Sequence, residues 1–384
     1  MKVSKARVLA CVTAAALPPL LLAPTAAQAH DRPWTKVPRP DASPGNNLLA
    51  SVASVSARDV WAVGSADDAN GNTHTLTEHW NGTAWTIVPS PTGLTGTLSA
   101  VATVSSRDVW AAGSILLSGR GKTAQFEHWN GSKWRVVQGP AGPFTVHALT
   151  AVSSRDIWAV GSSLAGGTTA RTLIEHFDGH TWSVVPSPDA STGNNLLSGV
   201  AAVSSSDVWA VGDFQNASNA FQTLAEHWDG TAWSIVPSPS GAGIQAGLNA
   251  VAAVSSHDVW AVGNSGSGTL TERWNGTSWN VVPSPTLAGT LFNPLFGVAI
   301  ISGSEIWAVG ESQNGTTGSP TTLTEEWNGH EWEMVPSPSP GSAATLSAAS
   351  AGPSTEGAWA VGNFTDPVTG AQHTLTEFNT KSTR

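Results

Sequence analysis

From Leu49 to Val55 the chain alternates small or apolar residues with polar ones, turns through Ser56-Ala57-Arg58-Asp59, and alternates again from Val60 to Gly64. A period of two over runs this short predicts two antiparallel strands joined by a tight turn. After a polar stretch, Leu76 to Trp80 and Thr83 to Val88 flank Asn81-Gly82, a dipeptide that accepts the positive φ angles of a type I′ turn, so a second hairpin is expected. Pro89-Ser90-Pro91 removes a backbone donor and ends the fourth strand.

The unit repeats. Its centre, Asp59-Val-Trp-Ala-Val-Gly64, returns around Trp110, Trp158, Trp209, Trp260, Trp307 and Trp359, at intervals of 49, 48, 51, 51, 47 and 52 residues. Seven four-stranded units of this length predict an all-β fold, a seven-bladed β-propeller with antiparallel blades. The seventh copy stops after Thr374-Leu-Thr-Glu377-Phe378, with no fourth strand, whereas Trp34-Thr-Lys-Val-Pro38 matches Trp85-Thr-Ile-Val-Pro89. The N-terminal strand is therefore expected to close the last blade and remove the open edge. One template also accounts for all 19 tryptophans, in a DVW slot, an EHW slot (with Phe177 and Phe378 as substitutes) and a fourth-strand slot, which reads as packing between neighbouring blades.

Residues 1–29 read as an export leader, with Lys2, Lys5 and Arg7 ahead of apolar Val8 to Ala23 and an A-x-A site at Ala27-Gln-Ala29. The expected mature chain, 30–384, is one propeller domain, secreted, monomeric and without a stable membrane anchor. It lacks cysteine, since Cys11 lies in the leader. Its 14 basic residues face 27 acidic ones, a net charge of −13, which disfavours nucleic acid as a partner because phosphate binding needs concentrated cations.

The repeated polar residues read as structural. Adjacent strand residues point to opposite faces, so the Glu-His pairs (Glu78-His79, Glu127-His128, Glu175-His176, Glu226-His227) cannot gather round one ion, and neither a metal site nor a cofactor is expected. The Glu slot, also filled by Glu272, Glu325 and Glu377, is expected to accept a backbone or indole N–H. The Asp slot (Asp59, Asp108, Asp156, Asp207, Asp258) is expected to cap its own turn. The strand 1–2 and 3–4 turns share one face of the disc and hardly vary. The opposite loops differ from copy to copy, and any ligand is placed there. Candidate ligand-binding residues are Asp67, Asp68, Asn72, His74, Arg120, Lys122, Phe214, Asn216, Phe292 and Asp366.

The D-V-W-A-V-G and W-N-G-x-x-W signatures resemble those of secreted bacterial β-propellers and are more distantly similar to YCF48-like, Asp-box and kelch propellers. The resemblance spans 34–378 and implies the propeller. Those families include assembly factors, lectins and enzymes. With no tyrosine anywhere and no cysteine after the leader, a sialidase-type tyrosine nucleophile and a tyrosine-cysteine copper site are both excluded. The reading is a non-enzymatic extracellular scaffold that binds a protein or a glycan. The alternative is a polysaccharide hydrolase or lyase using Asp67, Asp68 or Asp366 as a carboxylate pair near the channel mouth.

Overall fold

The alternation becomes seven antiparallel sheets in the computed structural model, which describes residues 33–91, 95–117, 121–164, 167–240, 245–285, 287, 289–352 and 357–380. Blade one runs Asn47–Ser56, Asp59–Asp67, Thr73–Trp80 and Trp85–Ile87, each strand bonded to the next. Blades two to five repeat this order, starting at Gly96, Phe144, Asn195 and Ala246. In blade six the first strand is split into Thr290–Phe292 and Leu295–Ser302, both paired with Glu305–Asn314. The first strands of adjacent blades touch all the way round, blade seven meeting blade one, so the sheets form a closed ring around a channel.

The seam closes as the ends of the sequence imply. Blade seven comprises Ala343–Ser350, Gly357–Thr365 and Gln372–Thr380, with Thr35–Lys36 as its outer strand. Thr35 pairs Phe378 and Lys36 pairs Glu377; beyond them the Val37 N–H donates to the Thr376 carbonyl (2.9 Å) and Thr376 Oγ1 returns a bond to Val37 O (2.8 Å). Arg39, in the position of Ser90, donates from Nε to Thr374 O (2.6 Å) and pairs with Asp41.

Tryptophans fill the gaps between blades. Trp61 of blade one lies 4.9 Å from Trp129 and edge-on to Trp134 (5.3 Å), both of blade two. The same trio recurs with Trp158, Trp228 and Trp233, and at the seam Trp359 meets Trp80 and Trp85 of blade one. Trp34, 2 % exposed, stands edge-on to Trp307 at 5.1 Å. One slot needs correction: Phe378 pairs Trp359 across the strands, the place His79 takes opposite Trp61, and buried Asn379 occupies the EHW tryptophan position.

Local geometry explains the two glycines of the signature. A Cβ on Gly64 would sit 1.9 Å from the Leu48 carbonyl oxygen, and the same clash recurs at the equivalent glycine of every blade, so this position admits no side chain. At the Asn81-Gly82 hairpin only Gly82 has positive φ (92°), and Asn81 Oδ1 accepts the N–H groups of Thr83 and Ala84, both at 3.0 Å. This is a four-residue Asx-capped loop rather than the expected type I′ turn, which is why Asp178 and Asp229 substitute for Asn.

Seven glutamates, Glu78, Glu127, Glu175, Glu226, Glu272, Glu325 and Glu377, are fully buried between blades. The expected backbone or indole donors are not what they meet. Glu127 accepts from Ser90 Oγ (2.8 Å) and Gln125 Nε2 (2.6 Å), and Glu272 from Ser238 Oγ (2.6 Å), so at these two interfaces the serine of one blade's Val-Pro-Ser-Pro reaches the glutamate of the next, whereas Ser187 and Ser337 turn to Thr172 and Thr322. Opposite Glu175 that serine is replaced by Gly139, and no hydrogen bond reaches its carboxyl from the described residues. Burial pushes Glu175, Glu226, Glu272, Glu325 and Glu377 up to about 8, with Ser238 opposing the rise at Glu272; Glu78 reaches about 7 against the opposing charge of Arg39.

Two outcomes are expected. Trp34→Ala should cost about 3–5 kcal/mol in denaturant unfolding, the loss for a fully buried tryptophan; a loss below 1 kcal/mol would show the seam to be dispensable. The folded carboxyls keep their protons to about pH 7–8, whereas unfolded ones lose them near the ordinary 4.5. Stability should therefore be greatest below pH 4.5 as far as these groups decide it, and fall as pH rises to about 8. Glu175→Gln should flatten that fall in melting curves taken from pH 5 to 9, leaving the variant about 1–3 kcal/mol more stable than the parent at pH 9.

Candidate functional site

Four of the sequence candidates do come together, in the blade-one loop. Asp68 accepts the N–H groups of Asn70 and Asn72 (2.8 and 2.9 Å), Asn72 Nδ2 (3.1 Å) and His74 Nε2 (3.1 Å), while Asp67 accepts from Thr73 Oγ1 (2.8 Å) and Asn46 Nδ2 (3.0 Å). These acids are occupied in shaping the loop. The Asn72 and His74 bonds hold Asp68 well below the usual carboxylate range, and turn N–H groups do the same for Asp366. A general acid needs the opposite displacement. Asp366 sits at the seam pocket with Arg39, Asp41 and His373.

The other candidates scatter. Asn216 caps its own turn through the N–H groups of Ser218 and Ala220, and Phe214 packs against the blade-four core. Phe292 lies on the split strand of blade six, Lys122 on the third strand of blade two, and Arg120 lies outside the described residues. None of the candidates among the described residues lines the central channel.

The Asp slot departs from expectation in an instructive way. Asp59 binds His79 Nε2 across the strand pair at 2.8 Å, and His79 stacks on Trp61 at 4.4 Å; Asp108–His128, Asp156–His176 and Asp207–His227 repeat the arrangement. The turn is instead closed by Ser56 Oγ, which accepts the Arg58 N–H. In blade five Arg273 replaces the histidine, bonding Asp258 through Nε and Nη2 (2.8 and 2.9 Å) over the Trp260 ring. In blade seven Gly357 and Phe378 remove both partners together. Aspartate and its cross-strand partner are thus one clasp, repeated on separate blades, and among the described residues no three His, Cys, Asp or Glu stand close enough to hold a metal.

What converges is the channel, a cavity of about 560 Å³ walled by all seven first strands. Each of those strands bulges by one residue: after Leu49, Leu98, Val146, Leu197, Leu248, Leu295 and Leu346 the register slips. A bulge re-aims a side chain. The residues so placed, Ala50, Ser99, His147, Ser198, Asn249, Phe296 and Ser347, all line the cavity, and hardly any two neighbours agree. Three of them latch the next blade: Ser99 Oγ donates to Val146 O (2.6 Å), His147 Nδ1 to Leu197 O (2.9 Å) and Asn249 Nδ2 to Leu295 O (2.8 Å). Burial lowers the His147 pKa and so favours the neutral ring, and because Nδ1 donates to the Leu197 carbonyl the proton of that neutral ring is on Nδ1 and Nε2 carries a lone pair.

Toward the variable loops, Glu311 joins the lining, accepting Thr345 Oγ1 (2.6 Å) and Gln313 Nε2 (3.1 Å). Asp213 holds the equivalent position in blade four, over Gly247, and burial raises it to about 6. His147, Asn249, Phe296 and Glu311 were not singled out from the sequence. The sequence shows that the position after the buried leucine or valine of the first strand varies between copies, but not that it faces the channel.

No protein-family model matches the chain, and no curated protein is similar to it. Solved structures are. YCF48 bound to a D1 peptide shares 12 % identity over 93 % of this chain and 98 % of that one, with a TM-score of 0.57. The WD40 repeats of RRP9 share 9 % over 88 % and 95 % (0.57), and a protein of unknown function from Dyadobacter fermentans 11 % over 91 % and 98 % (0.52). The chain is a seven-bladed β-propeller. Likeness at this identity carries the fold and no more.

The clasp is testable within one blade. Asp258→Ala should cost about 1 kcal/mol, the partly exposed setting keeping the loss small, and a double-mutant cycle with Arg273→Ala should return a favourable coupling; a coupling of zero would make the pair incidental.

Proposed function

We propose that this propeller is an extracellular, non-enzymatic binding or scaffold protein that takes a protein or glycan segment on its variable-loop face, at the mouth of the central channel. The observation that carries this is the bulge ring. A bulge repeated in seven blades brings a position that varies from blade to blade in each first strand to a single cavity, whereas the loop acids are consumed by bonds within and beside their own loop. Its size lies within the range of ligand pockets, roughly 300–1,000 Å³. Residues 1–29, read as an export leader, support the extracellular setting. The peptide carried by YCF48 in its solved structure supports a protein ligand, as an analogy of fold.

The experiment is a glycan array and a pull-down with residues 30–384, repeated with Phe296→Ala and with Asp68→Ala. Binding without turnover, lost in Phe296→Ala and kept in Asp68→Ala at matched melting temperatures, is the expected result. Binding that survives Phe296→Ala and disappears with Asp68→Ala would move the site to the loops, and depolymerisation of a glycan would replace the scaffold reading by an enzymatic one.

A further inference from the structure

The channel mouth is polar in a lopsided way. The N–H groups of His147 Nδ1 and Asn249 Nδ2, and the hydroxyl of Ser99, are turned sideways into carbonyls of the next blade. What they leave toward the lumen is mainly acceptors, the His147 Nε2 of the neutral ring, the Asn249 Oδ1 and the Ser99 lone pairs, beside the second N–H of Asn249 and the hydroxyls of Ser198 and Ser347, which can turn either way. Glu311 adds a carboxylate that is pre-oriented by Thr345 and Gln313, with two of its roughly four lone-pair positions still open. Among the described residues no lysine or arginine lines the cavity. A surplus of acceptors round one anion suits an occupant that is rich in donors and positively charged.

Blade six contributes a second feature. Phe296, its bulge residue, lines the same cavity as Glu311, so an aromatic ring and a carboxylate from one blade both border the space. An aliphatic stem packs on such a ring and a cation is drawn to its face. Asp213, two blades away in the position equivalent to Glu311, adds negative potential at the same end, and the expected mature chain as a whole carries −13. A neutral sugar would use the acceptors but not the charge, and an acidic one would be repelled.

We infer that the channel mouth takes a basic side chain, a lysine ammonium or an arginine guanidinium, presented by a segment of a partner protein. This rests on the mouth being the binding site and narrows its ligand from protein or glycan to a cationic protein segment. Glu311 is the anion that meets it, His147 and Asn249 supply the remaining acceptors, and Phe296 holds the stem. A cavity of about 560 Å³ has room for one such side chain with its flanking backbone.

The test uses residues 30–384 and a set of glycine-serine heptapeptides identical except at the centre, which is lysine, arginine, norleucine or Nε-acetyl-lysine, titrated by calorimetry or NMR. Lysine or arginine should bind at least tenfold more tightly than norleucine and acetyl-lysine, and the preference should shrink as salt is raised. Glu311→Gln keeps the size of the side chain and an acceptor for Thr345, so the fold should persist while the preference is lost; Glu311→Asp should retain part of it. Equal binding of lysine and norleucine, or an undiminished lysine preference in Glu311→Gln, overturns the inference. A neutral glycan that binds in a Phe296-dependent way while all four peptides stay silent also overturns it and leaves the mouth as the site. If neither glycan nor peptide binding depends on Phe296, the mouth itself is rejected and the inference with it.

Discussion

A four-stranded blade has two apolar faces, and seven blades can cover all fourteen only if the last lies against the first. Every other feature of this chain depends on that closure. The tryptophan of each DVW segment is seated against the outer aromatic residues of the following blade, two of them everywhere except at Trp307, which meets Trp34 alone, so no blade completes its own core. At the seam the contact is the same in kind but is assembled from opposite ends of the sequence, with Trp34 against Trp307 and Trp359 against Trp80 and Trp85. Arg39 takes the place that serine holds in five of the other six blades, and its guanidinium ties the N-terminal segment to Thr374 and Asp41.

The same closure sets where polar groups can be afforded. Between blades, seven carboxyl groups are cut off from water, and desolvation outweighs the serine hydroxyls or the Arg39 charge that reach some of them. Such groups hold their protons and behave as neutral hydrogen-bonding side chains at mildly acidic pH. At the short-turn end the aspartate clasps are partly exposed, so they orient histidine or arginine over tryptophan without a large penalty. Chemistry that differs from blade to blade is left for the innermost strands. There the bulge exposes one side chain per blade to a common space, and the latches to the next blade fix how those side chains are presented.

The ring was legible in the sequence because its cause is periodic. Alternation within 49–67, a recurrence of about 50 residues and the match between Trp34–Pro38 and Trp85–Pro89 each follow from a contact that every blade must make. The site was less so, for a physical reason. Asp67, Asp68, Asn72 and His74 looked free because a polar loop sequence does not show that its carboxylates will bind their own backbone. Asp59 looked like a turn residue because its partner, His79, is twenty positions away and becomes adjacent only through strand pairing. Phe378 was assigned to a tryptophan position on composition, and register moved it by one. The bulges were invisible altogether. A one-residue slip leaves the alternation intact on either side, yet it decides that Ala50, His147 or Phe296 faces the channel.

Closure is tested most directly by hydrogen exchange of the backbone amides at the seam, followed by NMR under native conditions. In a ring joined by its N-terminal strand, the Val37 amide, bonded to Thr376, opens only when the whole domain does and exchanges as slowly as the paired amides of Val160 or Val211 in the middle blades. Exchange of Val37 at the rate of an unstructured peptide, while those central amides stay protected, would mean that the ring is held without the N-terminal strand and would contradict the account.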